Sequence, residues 1–84
     1  MTAKEIILNI AVNLGRLCRL AMEGRRARLD QFLAETEEYV TALDHAPKSE
    51  RFIPTYEWFK EDFKALSHDV RMDSDWAESM LTWA

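Results

Sequence analysis

Hydrophobic residues recur along most of the chain at the three- and four-residue spacing of amphipathic helices. The first segment, residues 5–22 (EIILNIAVNLGRLCRLAM), is the richest, since twelve of its eighteen residues are apolar. On a helical wheel its polar residues cluster in an arc of roughly 120°, and the remaining arc of roughly 240° is almost entirely apolar. A helix packed on one core needs an apolar stripe of only about 100°. We therefore expect this helix to contact protein on more than one side.

A second helical pattern, with a narrower apolar stripe, follows in residues 29–44. Gly24 lies between the two patterns and either bends one long helix or ends the first one. Continuation is slightly favoured, because a new helix here would lack a Ser, Thr, Asp or Asn N-cap. It would also place three arginines in its first turn, against the helix dipole. The alternative is a hairpin in which Gly24 is the residue after the C-cap of the first helix.

The remainder of the chain reads as a loop punctuated by Pro47 and Pro54, followed by two shorter helices. Asp73 or Asp75 can cap the last helix. These patterns predict one all-α domain over residues 1–84, a small bundle of three or four helices with a long first helix. The predicted segments are helix 3–44 with a possible break at Gly24, loop 45–54, helix 55–71 and helix 74–84.

The apolar first segment does not have the pattern of a membrane anchor. A spanning helix needs about 20 mostly apolar residues, and Asn9, Asn13, Arg16 and Arg19 interrupt this one. Cations follow the apolar region rather than precede it, unlike in a signal peptide. The only cysteine, Cys18, lies in the apolar arc and is expected to be an inert core thiol. A lone cysteine fits a reducing compartment, so we expect a soluble, cytoplasmic protein.

The net charge of −4 is unevenly distributed. Residues 1–28 carry six basic and two acidic side chains, a net +4, whereas residues 29–84 carry five basic and thirteen acidic ones, a net −8. The favoured interpretation is that the two parts neutralise each other within one fold; the alternative is steering of a charged partner. Arg25, Arg26 and Arg28 form the only basic cluster and are candidate partner-binding residues. Nucleic-acid binding is not expected, because the pI is about 5.1 and such domains are usually strongly basic.

No motif in the sequence identifies a catalytic centre. The two glycines lack the spacing of a phosphate-binding loop, and no second cysteine exists for a zinc site. Glu35 and Glu38 have a spacing that resembles the acidic pair of all-α nucleotide pyrophosphohydrolases. That resemblance implies a second acidic pair on the following helix, but Lys60 and Lys64 occupy the required offsets. We expect no catalytic residue, metal or cofactor; a metal-dependent hydrolase or an enzyme subunit that uses Glu35 and Glu38 is the alternative.

Binding is therefore the preferred hypothesis. Trp58 falls outside the apolar stripe of its helix, so it either packs against Trp76 or Trp83 or faces a partner. Chains of this size are only marginally stable alone, which favours a homodimer. We predict a non-enzymatic protein-interaction or regulatory protein with an unidentified protein partner. The expected self-association contacts on the first helix are Ile7, Ile10, Leu14 and Leu17.

Overall fold

The computed structural model describes residues 1–84 as a bundle of four helices without strands. The bundle measures 37 × 21 × 18 Å along its principal axes. The prediction of a small all-α bundle with a long first helix is thus confirmed. The helices are α1 (Ala3–Met22), α2 (Arg26–His45), α3 (Ile53–His68) and α4 (Ser74–Trp83).

Gly24 ends α1, so the favoured prediction of a continuous helix is wrong. Its φ of +69° lies in the left-handed region, which glycine adopts without steric cost. The amide of Arg25 donates to the carbonyl of Leu20 (3.0 Å) and that of Gly24 to Ala21 (3.2 Å). This pair of bonds is a Schellman motif, which satisfies carbonyls at the end of α1. As the sequence indicates, α2 begins without a side-chain cap: its N-cap residue, Arg25, makes no side-chain capping bond.

The other helix ends follow ordinary capping chemistry. Thr2 accepts a hydrogen bond from the amide of Glu5 (3.2 Å) at the start of α1. Asp73, rather than Asp75, caps α4 by accepting from the amide of Trp76 (2.8 Å). Helix α3 begins at Ile53, two residues before the predicted start, and ends at His68 instead of residue 71. The chain leaves helical geometry there and passes through Met72 at a φ of +59° before α4 begins.

The core is built around α1, which packs closely against both α2 and α4. Ile10, Leu14 and Leu17 lie in this core with at most 5% of their surface exposed. Their own chain covers them, which corrects the prediction that they mediate self-association; Ile7 is half-buried. The apolar residues of α1 that stay in solvent are Leu8, Val12 and Met22.

None of the four helices has the length and hydrophobicity needed to cross a lipid bilayer.

Helix α3 joins the bundle mainly through large aromatic side chains. Tyr56, Phe59 and Phe63 are buried, whereas few backbone positions of α3 come close to the other helices. The distance between packed helices depends on the side chains at their contact. The rings of α3 therefore occupy the space between α3 and α1 and hold the two backbones apart.

A polar junction fixes the start of α3 against the end of α2. The Tyr56 hydroxyl donates to the Asp44 carboxylate (2.7 Å), and its oxygen also lies 3.1 Å from the Val40 carbonyl oxygen. Lys60 donates to the same carboxylate at 3.0 Å. These bonds, from Tyr56 first and Lys60 second, lower the pKa of Asp44. Burial, together with the Asp44 bond, raises the pKa of Tyr56.

The turn at Gly24 predicts that replacing each of the two glycines by alanine changes the free energy of unfolding in opposite directions. Neither added Cβ would meet another atom within 4 Å, so only backbone conformation differs. Gly24→Ala should cost about 1 kcal/mol, because alanine is strained at positive φ. Gly15→Ala, inside α1, should be neutral or stabilise by up to about 1 kcal/mol. Urea unfolding of both variants measures this, and equal changes would contradict the turn.

The polar junction predicts a pH-dependent effect of Tyr56→Phe. Because the pKa of folded Asp44 is lowered, its stabilisation is complete above the unfolded value of about 3.9 and disappears as the pH falls through the folded value. At pH 7 the variant should lose about 1–2 kcal/mol, the contribution of a hydrogen bond to a charged group. At pH values below the folded pKa of Asp44, the difference from wild type should shrink. Urea unfolding across this range tests the prediction; a constant difference would contradict it.

Candidate interaction site

Two tryptophans and a phenylalanine meet where α3 faces the end of α4, and we call this group the aromatic corner. Its members are Trp58, Phe59 and Trp83. The Trp58 and Trp83 rings meet edge to face with their centres 5.5 Å apart, and Phe59 meets Trp83 in a similar way at 5.3 Å. Such pairs contribute about 0.5–1.5 kcal/mol beyond the area they bury. The corner therefore joins α3 to α4 over a region where the two backbones are well separated.

Trp83 is fixed at the centre of this corner. Its indole Nε1 donates to Asp62 Oδ2 at 2.9 Å, while its ring contacts both Trp58 and Phe59. The ring is thereby held on two sides and at its polar edge. An exposed aromatic side chain resting on such a support loses little further freedom when a partner binds.

The sequence offered two alternatives for Trp58, packing against another tryptophan or facing a partner, and its position in the structure is compatible with both. It packs against Trp83, not Trp76, yet 67% of its surface remains exposed. Trp76 differs completely, since it is 2% exposed and donates its indole hydrogen to the Leu66 carbonyl at 2.9 Å. Trp58 is thus the only tryptophan that presents most of its surface to solvent.

The surface near Trp58 on α3 is acidic. Glu57, Glu61 and Asp62 are exposed on this helix. The nearby cation Lys60 is already engaged, with its Nζ 3.0 Å from Asp44 and 3.7 Å from Glu57. The carboxylates beside Trp58 therefore outnumber the available positive charges.

The predicted basic cluster lies in a different place, around the turn between α1 and α2. Arg25, Arg26 and Arg28 are exposed and line a shallow depression. Arg26 pairs with Asp30 at 2.9 Å, within α2, whereas the Arg25–Glu23 contact is long at 3.9 Å. Surface pairs of this kind contribute little, so the cluster keeps most of its positive field.

Arg28 has a second contact, with the ring of Phe32. Its guanidinium carbon lies 5.5 Å from the ring centre, and that of Arg16 on α1 lies 5.2 Å from the same centre. This arrangement places two cations on one half-buried aromatic ring.

The expected neutralisation between the two parts of the chain occurs through few direct contacts. Among the ion pairs, only Arg26–Asp30 joins residues 1–28 to residues 29–84. The basic and acidic surfaces therefore both face solvent.

The structure does not bring the two groups of candidate partner residues together. The arginines follow the carboxyl end of α1, whereas Trp83 lies with Ile7 near the amino end of that helix. A helix of 20 residues is about 30 Å long. A small partner at the aromatic corner would not reach the arginines.

The acidic pair considered as an alternative active site is exposed on α2. Glu35 accepts a bond from Asn13 at 3.4 Å, and Glu38 is in solvent. No third histidine, cysteine, aspartate or glutamate joins them in a cluster suited to a metal ion. Cys18 is buried as expected.

Comparisons with known protein families, with characterised proteins and with solved structures found no match. What the structure establishes is the architecture, a small all-α bundle of four helices.

The sequence indicated Trp58 and offered Trp76 and Trp83 as possible packing partners, without choosing between them. The bond between Asp62 and Trp83 that anchors the supporting ring was missed, because the two residues are separated by 21 positions and no local pattern links them. The only available signal was that Trp83 continues an apolar pattern to the end of the chain. Helical spacing did place Glu61 and Asp62 beside Trp58, but charges on an outer helix face are expected wherever a helix meets water and do not by themselves indicate a binding surface.

Proposed function

We propose that this chain is a non-enzymatic interaction protein that binds a protein partner through Trp58. The observation that carries the proposal is a tryptophan with 67% of its surface exposed, resting edge to face on a second, anchored tryptophan. Tryptophan is among the residues that most often dominate binding energy. Because its support is rigid, little entropy would be lost on docking.

The charges near Trp58 define the partner further. Glu57, Glu61 and Asp62 favour a partner surface with lysine or arginine beside an apolar contact. Complementary charge at the rim of an interface raises the association rate more than the affinity. Binding should therefore weaken as the salt concentration rises.

Photocrosslinking tests this proposal. The photoreactive residue benzoylphenylalanine replaces Trp58 in one sample and Met22, which is 74% exposed, in the matched control. In native cells we expect a discrete adduct from position 58 and none from position 22. Excess wild-type protein should suppress the adduct in extracts, whereas Trp58→Ala should not.

The competition experiment is informative only if the Trp58→Ala competitor is folded. Trp58→Ala should lose only about 0.5–1.5 kcal/mol of stability, since it removes one aromatic pair and little buried surface. The same adducts from both positions, or equal competition by wild type and Trp58→Ala, would show that Trp58 does not bind a partner.

We also propose that the chain forms a homodimer through the outer face of α1. Leu8 and Val12 stand one helical turn apart on this face and are 57% and 53% exposed. Neighbouring side chains at this spacing form one continuous apolar surface. This surface replaces the buried residues first considered for self-association.

Light scattering over a protein concentration series tests the dimer. Wild type should approach twice the monomer mass, and Val12→Glu should remain monomeric with its helical content unchanged. Met22→Glu is the matched control, because it adds the same charge to an exposed residue of the same helix. A monomeric wild type at every concentration, or dissociation by both substitutions, would refute the proposed contact.

A further inference from the structure

A cavity of about 170 Å³ lies among the four helices, at the end of the bundle where α1 begins and α4 ends. Buried side chains form its deep wall, and half-buried or exposed ones surround its opening. The deep wall consists of Ile10, Leu14, Leu43, Tyr56 and Phe59, and the opening is formed by Ile7, Ala11, Phe52, Thr55 and Trp83.

The cavity results from the way in which the aromatic side chains of α3 pack against the rest of the bundle. Phe59 stacks on Phe63 with ring centres 5.7 Å apart and contacts Trp83 at 5.3 Å. Tyr56 stacks on Phe52 at 6.0 Å and is tied to α2 through its hydroxyl. These rings fix one another in place, so they are not free to move inward and fill the space. The cavity is therefore preorganised.

The cavity wall is apolar and carries no ionisable group that is free to pair. Nine of its ten residues are hydrophobic, and Thr55 is the exception. The polar atoms of the lining aromatic residues are already committed outside it. The Tyr56 hydroxyl donates to Asp44, and the Trp83 indole donates to Asp62. A charged or strongly polar occupant would lose its hydration without replacement bonds.

The single free hydroxyl of the lining, that of Thr55, also offers too few hydrogen-bond partners to bind a water molecule tightly. A buried water needs two to four polar partners, and an apolar cavity of about 150 Å³ lined by Leu, Ile and Phe stays dry and binds benzene. The cavity in this protein has a comparable volume and a similar lining but opens to solvent on one side. Water that enters it finds few hydrogen-bond partners and is displaced readily by an apolar group. Filling it would restore the dispersion contacts that its wall atoms lack.

We propose that this cavity binds a small, uncharged, apolar molecule about the size of one aromatic ring. The inference does not rest on the proposed partner site, because Trp58 is not part of the cavity wall. Phe59 and Trp83 belong both to the aromatic corner and to the cavity wall. One side of the Trp83 ring supports Trp58, while another side closes the cavity.

Titration with benzene tests the inference on the full chain. Methyl resonances of Ile10, Leu14 and Leu43 should shift and saturate, with a dissociation constant at or below about 1 mM. The melting temperature should rise with ligand concentration, because the ligand binds the folded state. Benzylammonium, which carries one ring and a positive charge at neutral pH, should bind at least about tenfold more weakly.

Ala11→Leu supplies the decisive variant, because it adds three carbons at the opening and fills part of the space. It should weaken benzene binding at least tenfold, while Ala34→Leu, the same change at an exposed position of α2, should bind like wild type. Should Ala11→Leu fail to fold, Thr55→Phe obstructs the opening from an exposed position and takes its place. Shifts that grow linearly without saturation, or that are equal in the blocked and control variants, would overturn the proposal. Equal binding of benzene and benzylammonium would do the same.

Discussion

The reversal of the chain at Gly24 determines how the large apolar surface of α1 is covered. A straight continuation would have carried α2 away from α1 and left that surface to a second chain. Instead the Schellman bonds from Arg25 and Gly24 turn the backbone within three residues, and α2 returns along α1. With α4 on another side, the chain itself buries Ile10, Leu14 and Leu17. A local backbone conformation thus decides whether these residues form a core or an interface.

The second constraint is the aromatic attachment of α3. Helices α2 and α4 approach α1 closely, but the rings of Tyr56, Phe59 and Phe63 lie between α1 and α3 and hold α3 at a distance. That spacing has two consequences at the same end of the bundle. It leaves an apolar cavity beside α1, and it requires Trp83 to bridge α3 and α4. The bridging residue in turn supports Trp58 in solvent. The cavity and the exposed tryptophan thus have one structural cause.

Helical periodicity predicted the fold class and most core residues, because burial on one helix face is a local pattern. It failed at Gly24 for an identifiable reason. The prediction gave the poor start of α2, with its arginines and missing cap, slightly more weight than Gly24 as the residue after the C-cap of α1. The stabilising bonds, however, belong to the end of α1. Two residues that the helical wheel places in the polar arc of α1, Asn13 and Leu20, are in fact buried. Asn13 donates a hydrogen bond to Glu35 on α2 and accepts one from Arg16. Contacts between helices of this kind have no signature in either segment alone.

The start of α2 shows that local rules can be broken where other contacts compensate. Basic residues near a helix N-terminus cost about 0.3–1 kcal/mol each, and Arg25, Arg26 and Arg28 all stand there. Arg26 recovers part of this through Asp30, and Arg28 through its position over Phe32, since an exposed cation–π contact contributes about 0.5–1 kcal/mol. Arg25 has no comparable contact, because Glu23 is 3.9 Å away and both side chains are exposed. A serine or aspartate in its place would cap the helix. The arginine therefore makes the start of α2 less stable than such a capping residue would.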